Sequence, residues 1–448
     1  MEPNKDAALA TDLYELTMAA AYFENKVEGE ATFELFVRNY PKNRSYLVAA
    51  GLQQAVDYLL HLRFEDKHIE FLRQHPIFKD VSKDFFQYLK TFRFNGNVWA
   101  MQEGTVFFTN EPIVRITAPI IEAQIVETYL LSIINFETLI ASKAARVVAA
   151  ARGRGVVEFG ARRAHGPESA LLAARASYVG GCMGTSNVLA GYRFGIPTYG
   201  TIAHSFVMAF DSEREAFERF CKVFPSNPAF LLDTYDTLEA ARIVVSMPIR
   251  PSLVRLDSGN RAMLSKRVRK LLNQSRMDYT KIFVSGDLNE YVLDRLTKQK
   301  APIDYFGVGT ELVTSRDDPA LPGIYKLVAL EQGGETMFRV KTTKGKKTIP
   351  GAKQVYRRYT RQGKIQGDVI ALADETPPPG MKPLLEKVLG DGRLVTTLPN
   401  LVAIRERAMN EVESLPTKYH RLHGSVKPPV HLSNRLELLT KSLWENAN

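Results

Sequence analysis

Hydrophobic positions recur with two different periods along the first third of the chain. The segment TDLYELTMAAAYFE (11–24) has helical spacing, and Asp12 and Glu15 are typical of a capped helix start. The segment ATFELFVR (31–38) alternates apolar and polar positions, as a half-buried strand does.

Strand-like pieces broken by glycine and proline follow at 97–118, and a helical pattern then runs from about residue 120 to 152. We therefore expect residues 1–140 to form an N-terminal α/β domain.

The pattern changes after this region to short apolar runs, each followed by a helical segment. The runs are GVVEF (155–159), IPTYGT (196–201), AFLLD (229–233), SLVRLD (252–257), KIFVSGD (281–287) and IDYFGVGT (303–310). Strands that alternate with helices predict a buried parallel sheet. The sequence therefore predicts a βα barrel over 141–330.

Each apolar run ends in a polar residue, namely Glu158, Thr201, Asp233, Asp257, Asp287 and Thr310. In a βα barrel, the carboxyl ends of the strands meet at one mouth where chemistry is assembled. These ends therefore predict a ring of site residues. Residues 331–448 are rich in strand and turn signals, and we expect them to pack on the other two domains as a basic strand, turn and helical region.

Composition narrows the class of protein. The chain has 448 residues, 45% of them hydrophobic and 24% charged, which is typical of globular domains. It has two cysteines, too few for a disulfide framework or a zinc cluster, and no apolar run of membrane-spanning length. The N-terminal residues do not resemble a secretory signal. We expect a cytoplasmic protein that contacts no membrane.

The net charge of +10 is concentrated in one segment. Residues 341–366 carry nine basic residues and no acidic residue. A solvated basic face, a site for anionic small molecules and a nucleic-acid surface all remain open for it, although no nucleic-acid-binding motif is present. Of the two ligand classes, anionic small molecules fit better.

Two glycine-containing loops follow the last two predicted strands. Loop 284–290 (VSGDLNE) and loop 305–311 (YFGVGTE) both allow a ligand to approach the backbone and then open into helices. Paired loops of this kind on late strands resemble the phosphate site of many barrels. The candidate phosphate-binding residues are Ser285, Gly286, Asp287, Gly307, Gly309 and Thr310.

Arg255 and Asp257 stand two positions apart at the end of an apolar strand, so both side chains point to the same side. They form either a buried ion pair or a fork for an anionic ligand group. In EFGARRAHG, Phe159 offers a ring face to a flat substrate, and Arg162 or its neighbour is expected to face the mouth. His204 is either an interior histidine or a residue facing the mouth.

The motifs TDLYELTM, EFGARRAHG, GTSNVLAG, GTIAHSFV, RLDSGN and GVGTELVTS occur in the same order in nicotinate phosphoribosyltransferases, and the chain resembles that family over about residues 11–358. The resemblance implies an irregular βα barrel with an α/β sandwich domain, built from the N-terminal region and part of the C-terminal region. It also implies a homodimer with shared sites.

The reaction that the resemblance implies joins nicotinate to 5-phosphoribosyl 1-pyrophosphate in NAD salvage. Mg²⁺ is the implied cofactor, and ATP is the implied co-substrate.

The resemblance also implies individual roles. Tyr14 would stack on the pyridine ring, while Thr201 and Arg255 would hold nicotinate. Asp257 would support the ribose and its metal, and Thr310 the 5-phosphate. His204 would accept a phosphoryl group from ATP, and Arg38 would reach the neighbouring subunit's site.

This chain departs from the family pattern at Asn260, where an aspartate is usual, and it lacks the C-terminal cysteines that bind zinc in some relatives. The nearest rival is the nicotinamide-using relative, whose aspartate is replaced here by Ser186. Quinolinate phosphoribosyltransferase is a much shorter chain.

Overall fold

The structure is a computed structural model that describes residues 6–226, 228–343 and 345–446. Its α-helices are α1 (Leu13–Glu24), α2 (Leu52–His61), α3 (Asp66–Gln74), α4 (Lys83–Thr91), α5 (Ile120–Ile125), α6 (Glu127–Ala151), α7 (Pro167–Val179), α8 (Val188–Phe194), α9 (His204–Met208), α10 (Glu213–Val223), α11 (Thr237–Ser246), α12 (Arg261–Gln274), α13 (Glu290–Lys298), α14 (Thr310–Val313), α15 (Leu401–Ser414) and α16 (Asn434–Asn446).

The strands lie between these helices and in a strand-rich C-terminal region. They are β1 (Glu30–Val37), β2 (Leu47–Val48), β3 (Asn97–Met101), β4 (Val106–Phe107), β5 (Pro112–Pro119), β6 (Gly155–Glu158), β7 (Gly184–Thr185), β8 (Ala229–Leu231), β9 (Leu253–Leu256), β10 (Lys281–Val284), β11 (Tyr305–Val308), β12 (Gly323–Gln332), β13 (Glu335–Phe338), β14 (Lys353–Tyr359), β15 (Ile365–Leu372), β16 (Lys382–Pro383), β17 (Leu385–Gly390), β18 (Arg393–Leu394) and β19 (Val430–Leu432).

The chain divides into two compact units. Unit 1 combines the described residues up to Leu139 with those from Ala320 onward, and unit 2 is Ile140–Pro319. The three-domain division at residues 140 and 330 stays a prediction. Among the described residues, no helix is long and apolar enough to cross a membrane.

Unit 1 contains an antiparallel sheet with the strand order β13-β12-β1-β5-β3-β17-β18. Phe33 and Leu35 of β1 and Ile116 of β5 are buried in the main hydrophobic core, to which α1 and α5 also contribute. A second sheet has the order β16-β14-β15-β19.

The basic segment 341–366 is not a uniformly solvated face. Lys353 and Arg357, both on β14, are buried and ion-paired, Lys353 with Glu34 and Arg357 with Asp368. Their charges are therefore neutralised by buried carboxylates of unit 1.

Unit 2 contains a parallel sheet with the strand order β7-β6-β11-β10-β9-β8. Helices such as α12 and α13 connect its strands along the chain. Because such connecting helices cover a parallel sheet, its strands are buried and apolar. The predicted α/β class is confirmed. The carboxyl ends of all these strands point to the same edge of the sheet.

Two local predictions are wrong. Residues 196–201 form no strand, only a single bridge from Thr198 to Thr185, because Pro197 has no amide hydrogen to donate to a ladder. The edge of the sheet is β7 instead. Asp12 precedes α1 but does not cap it with its side chain, since its carboxylate accepts a hydrogen bond from the Thr128 hydroxyl at 3.1 Å.

Candidate active site

The Arg255 guanidinium is held at the carboxyl end of β9 by three polar groups. Its Nε donates to Ser285 Oγ at 2.8 Å, its Nη1 to Thr201 Oγ1 at 3.0 Å and its Nη2 to Asp257 Oδ1 at 2.6 Å. The side chain is 14% exposed. A guanidinium has five N–H groups, so two have no acceptor among the residues that the structure describes and remain for a ligand. The predicted same-side arrangement of Arg255 and Asp257 is confirmed.

Aromatic rings lie beside this guanidinium. Arg255 Cζ is 5.7 Å from the centre of the Phe159 ring, which packs against Phe283 at 5.1 Å between centroids. Phe159, Phe283 and Thr201 line a cavity of about 330 Å³. The first residues of β8 to β11 also line it (Ala229, Leu253, Lys281 and Tyr305), so the cavity reaches from the Phe159 ring towards the amino ends of these strands.

Asp257 is half-buried beside the guanidinium. Burial alone would raise the pKa of its carboxyl group, but the Ser285 hydroxyl and the Arg255 charge outweigh that effect and lower the pKa below its usual value. Asp257 is therefore an anion at neutral pH, able to bind a cation or accept hydrogen bonds from hydroxyl groups.

Loop 284–290 turns sharply after β10. Gly286 has φ +81° and Asp287 has φ +46°, and a side chain at Gly286 would place Cβ 1.9 Å from the Asp257 carbonyl oxygen. Arg261 fastens this turn through hydrogen bonds to the carbonyl oxygens of Ser285 at 2.9 Å and Gly286 at 2.6 Å. Successive amides in such a turn form an anion-binding concavity.

Loop 305–311 is shaped by two glycines. Gly307 lies inside β11, where a Cβ would approach the Phe159 and Phe283 rings to within 2.7–2.9 Å. Gly309 follows the strand and directly precedes α14, whose first residue is Thr310. Gly307 therefore makes room for two packed aromatic rings, whereas Gly309 and Thr310 lie at the end of the strand.

His204 is the first residue of α9 and is half-buried. Its Nδ1 lies 3.2 Å from Thr234 Oγ1, just beyond the end of β8. The neighbouring Asp233 accepts a hydrogen bond from the Asp257 backbone amide at 3.1 Å. His204 is thus held at a strand end rather than in the hydrophobic core.

Asp233 was predicted from the sequence only as one of the polar strand ends, without a role of its own, and Arg261 was not predicted at all. Asp233 Oδ1 is buried and, among the described residues, has no hydrogen-bond partner. Its position at the polar end of the run AFLLD was a usable signal, whereas Arg261 could be found only from its contacts.

Other predicted residues lie elsewhere. Arg162 is exposed in the turn after β6, while Tyr14, 45% exposed on α1, belongs to unit 1. Arg38 is also in unit 1, where its Nη2 donates to the carbonyl oxygen of Lys346 at 3.4 Å. Asn260 caps α12 by accepting from the Met263 amide at 3.1 Å.

Glu158 ends β6 fully buried, and this burial raises the pKa of its carboxyl group. Its oxygens accept hydrogen bonds from the Thr185 hydroxyl and the Gly160 amide. This strand end is therefore occupied by internal hydrogen bonds.

Three family models match successive parts of the chain. The nicotinate phosphoribosyltransferase N-terminal domain matches residues 9–135, the quinolinate phosphoribosyl transferase C-terminal domain matches 140–317, and the nicotinate phosphoribosyltransferase C-terminal domain matches 377–440. The middle match coincides closely with unit 2.

Whole-chain relatives agree with these matches. A nicotinate phosphoribosyltransferase of Mycobacterium tuberculosis is 45% identical over 96% of this chain and 92% of its own length. The enzyme of that name from Bacillus subtilis is 42% identical over 82% of this chain and 76% of its own length.

The crystal structure of human nicotinic acid phosphoribosyltransferase superimposes with a TM-score of 0.85 at 29% identity, covering 97% of this chain and 99% of that one. Sequence and fold therefore agree over nearly the full length, and the chain belongs to the nicotinate phosphoribosyltransferase family.

Proposed function

We infer that this protein is a nicotinate phosphoribosyltransferase that makes nicotinate mononucleotide and pyrophosphate in NAD salvage. Family membership supports the reaction, and one structural observation supports the substrate. Arg255 offers two free N–H groups beside the Phe159 ring, a combination that fits a flat aromatic carboxylate. Ser186 in place of an aspartate agrees with a carboxylate rather than an amide substrate.

In the proposed reaction the lone pair of the pyridine nitrogen attacks C1 of the ribose. The new N–C1 bond forms as the C1–O bond to pyrophosphate breaks, and the electron pair leaves with the pyrophosphate. Arg255 and Thr201 hold the nicotinate carboxylate, and Phe159 contacts its ring. Tyr14 keeps the ring-stacking role that the family resemblance implies. Holding two reactants in line removes much of the entropic barrier.

The phosphate groups of the sugar donor are assigned to loop 284–290 through Ser285, Gly286 and Asp287, and to Gly309 and Thr310. Backbone amides at these strand ends supply donors that need no reorganisation when charge develops. Arg162, exposed in the turn after β6, and Gly307, which makes room for the rings, complete the proposed set.

Asp257 is proposed to hold the ribose hydroxyls and, with Asp233, a magnesium ion. The fit rests on the unpartnered, buried Asp233 Oδ1 and on the lowered pKa of Asp257. Magnesium is usually bound through one or two carboxylates plus substrate phosphates, so two aspartates suffice. When bound, the ion would neutralise charge on the departing pyrophosphate.

His204 is proposed to couple the reaction to ATP. In the tautomer that donates its Nδ1 hydrogen to Thr234, the Nε2 lone pair can attack the γ-phosphorus, so that the Nε2–P bond forms and the bond to ADP breaks. Water later hydrolyses the phosphohistidine and releases phosphate. The phosphorylated state is proposed to tighten substrate binding, and its hydrolysis to pull the reaction forward.

We further propose an irregular βα barrel formed around the parallel sheet, an α/β sandwich in unit 1, and a cytoplasmic homodimer in which Arg38 reaches the other subunit's site. Mixed dimers of Arg38→Ala and Arg255→Ala protomers would then recover part of the activity that each variant lacks. No recovery in verified mixed dimers would remove Arg38 from the site.

The substrate assignment is tested by measuring pyrophosphate release with nicotinate, nicotinamide and quinolinate, each with and without ATP. We expect activity with nicotinate that ATP stimulates. Preference for quinolinate, the substrate in the name of the model that matches residues 140–317, would overturn the assignment.

A further inference from the structure

A second cavity lies on one face of the antiparallel sheet of unit 1, within that unit. It has a volume of about 450 Å³, and its lining includes Thr32 of β1, Trp99 of β3, Arg115 and Thr117 of β5, Phe338 and Leu372. Small-molecule sites usually have volumes of roughly 300–1,000 Å³ and combine apolar walls with a few polar groups. The volume of this cavity lies in that range, and its lining is more polar, since more than half of the lining residues are polar or charged.

Arg115 is the buried polar group of this cavity, with 5% of its surface exposed. Its Nη1 donates to the carbonyl oxygen of Lys353 at 2.6 Å, and its Cζ lies 4.3 Å from the centre of the Trp99 ring. Its Nε is buried and has no hydrogen-bond partner within the described ranges. A buried donor without an acceptor costs free energy, so an acceptor is expected there.

The charges around Arg115 do not balance. Glu34 is the carboxylate whose charge acts on Arg115, but it is already bound to Lys353. Its Oε1 accepts from the Lys353 amide at 2.7 Å, and its Oε2 lies 2.7 Å from Lys353 Nζ. Two buried cations therefore share one buried anion. Burial without a full counter-charge also lowers the pKa of Arg115.

The remaining lining restricts the chemistry of an anion that could bind beside Arg115. The hydroxyls of Thr32 and Thr117 lie 2.9 Å apart, so one donates to the other and the second keeps its O–H for a carboxylate. Trp99, Phe338 and Leu372 provide apolar surface. Three exposed carboxylates (Glu30, Glu331 and Asp374) also line the cavity and outnumber its two arginines, so the lining opposes negative charge away from Arg115 and disfavours ligands with several negative charges most.

We propose that this cavity binds a small organic monocarboxylate, with its carboxylate on Arg115 and its apolar body against Trp99 and Phe338. The site lies within unit 1 and does not depend on the function proposed for unit 2. Arg115 there supplies the anion-binding group, as Arg255 is proposed to do at the other site.

The direct test is a crystal structure of the full chain with para-bromobenzoate, whose bromine is located by anomalous scattering. We expect a bromine peak in this cavity and a carboxylate oxygen within hydrogen-bonding distance of the Arg115 guanidinium. A bromine peak only at the Arg255 site, or no peak at all, would overturn the proposal.

Calorimetric titration with para-bromobenzoate tests the site in solution. An Arg255→Gln background removes the other carboxylate site, and in that background Arg115→Gln should weaken the remaining binding at least tenfold. Arg435→Gln is the matched control, since this exposed arginine lines the same cavity and pairs with Asp374 at 2.9 Å. It should leave the affinity within twofold.

If Arg115→Gln fails to fold, Thr117→Val tests the same site, because it removes one hydroxyl and keeps the side-chain shape. It should weaken binding about fivefold. Unchanged affinity in a folded Thr117→Val or Arg115→Gln protein would contradict the site. Competition by inorganic phosphate at equal concentration would contradict the monocarboxylate class.

Discussion

Lys143 Nζ lies 2.7 Å from Glu290 Oε2, and both side chains are fully buried in unit 2. The same ammonium lies 2.8 Å from Asp317 Oδ1. Glu290 begins α13 directly after the turn of loop 284–290, and Asp317 follows α14, which begins after Gly309. One buried cation on α6 therefore ties together the segments that follow both candidate phosphate loops.

Lys143→Met should destabilise the protein and weaken binding of the sugar donor. Removing one partner of a buried ion pair typically costs about 3–5 kcal/mol, and here two carboxylates lose their shared cation. Glu290 keeps a second buried partner, since Arg146 Nε lies 3.2 Å from its Oε1, so the cost should lie at the low end of this range. We expect the KM for phosphoribosyl pyrophosphate to rise more than that for nicotinate. A lower melting temperature with unchanged KM for both substrates would limit Lys143 to a structural role.

Arg255→Ala should raise the KM for nicotinate more than a hundredfold, because loss of a buried anion's partner costs about 3–5 kcal/mol. The KM for phosphoribosyl pyrophosphate should change far less. Arg255→Lys should rescue little, since an ammonium cannot reproduce the guanidinium fork that contacts Ser285, Thr201 and Asp257. Equal effects on both substrates in steady-state kinetics would make the residue structural.

Gly286→Ala should damage sugar-donor binding by at least tenfold, because its Cβ would collide with the Asp257 carbonyl oxygen and its φ of +81° is strained for alanine. Gly363→Ala is the matched control, with φ +74° and open space around the added methyl group. Isothermal titration with phosphoribosyl pyrophosphate compares the two. Equal affinities would remove the turn from the site.

His204→Ala should fold normally, retain slow transfer without ATP, and lose both ATP stimulation and acid-labile labelling from γ-labelled ATP. His165→Ala, at an exposed position in unit 2, should keep both. The measurement is pyrophosphate release with parallel label counting. Acid-labile label that persists in His204→Ala would assign the phosphorylated group to another residue.

Glu15→Gln should alter the pH dependence of stability. Burial raises the pKa of Glu15 to about 7, although hydroxyls of Thr11 and Thr128 oppose the shift. The folded protein therefore keeps a proton that the unfolded chain releases near pH 4.5, so this contribution to stability is full below pH 4.5 and is lost as pH rises through 7.

Glu15→Gln has no titrating group at this position, so it does not lose stability in this way. Its melting temperature minus that of the unsubstituted protein should therefore increase as the pH rises from 5 to 8. Glu28→Gln, at an exposed position, should show no such trend. Parallel melting curves of Glu15→Gln and the unsubstituted protein across this range would contradict the prediction.

Much of unit 2 follows from local sequence. Short apolar runs that end in Asp233, Asp257 and Asp287 predict parallel strands with a polar edge, because strand ends of one direction meet at one edge. The period of two alone puts Arg255 and Asp257 side by side. The strand predicted at 196–201 failed because a short apolar pattern carries no information about its hydrogen-bond partner.

Contacts between residues distant in sequence required the tertiary structure. Arg255 is held by Thr201, 54 positions earlier, and by Ser285, 30 positions later. In the basic segment 341–366, Lys353 and Arg357 are likewise buried in unit 1 and form ion pairs with Glu34 and Asp368. Local patterns specify which face of a strand or helix is apolar, but the energy of a buried charge depends on which partner the fold brings to it.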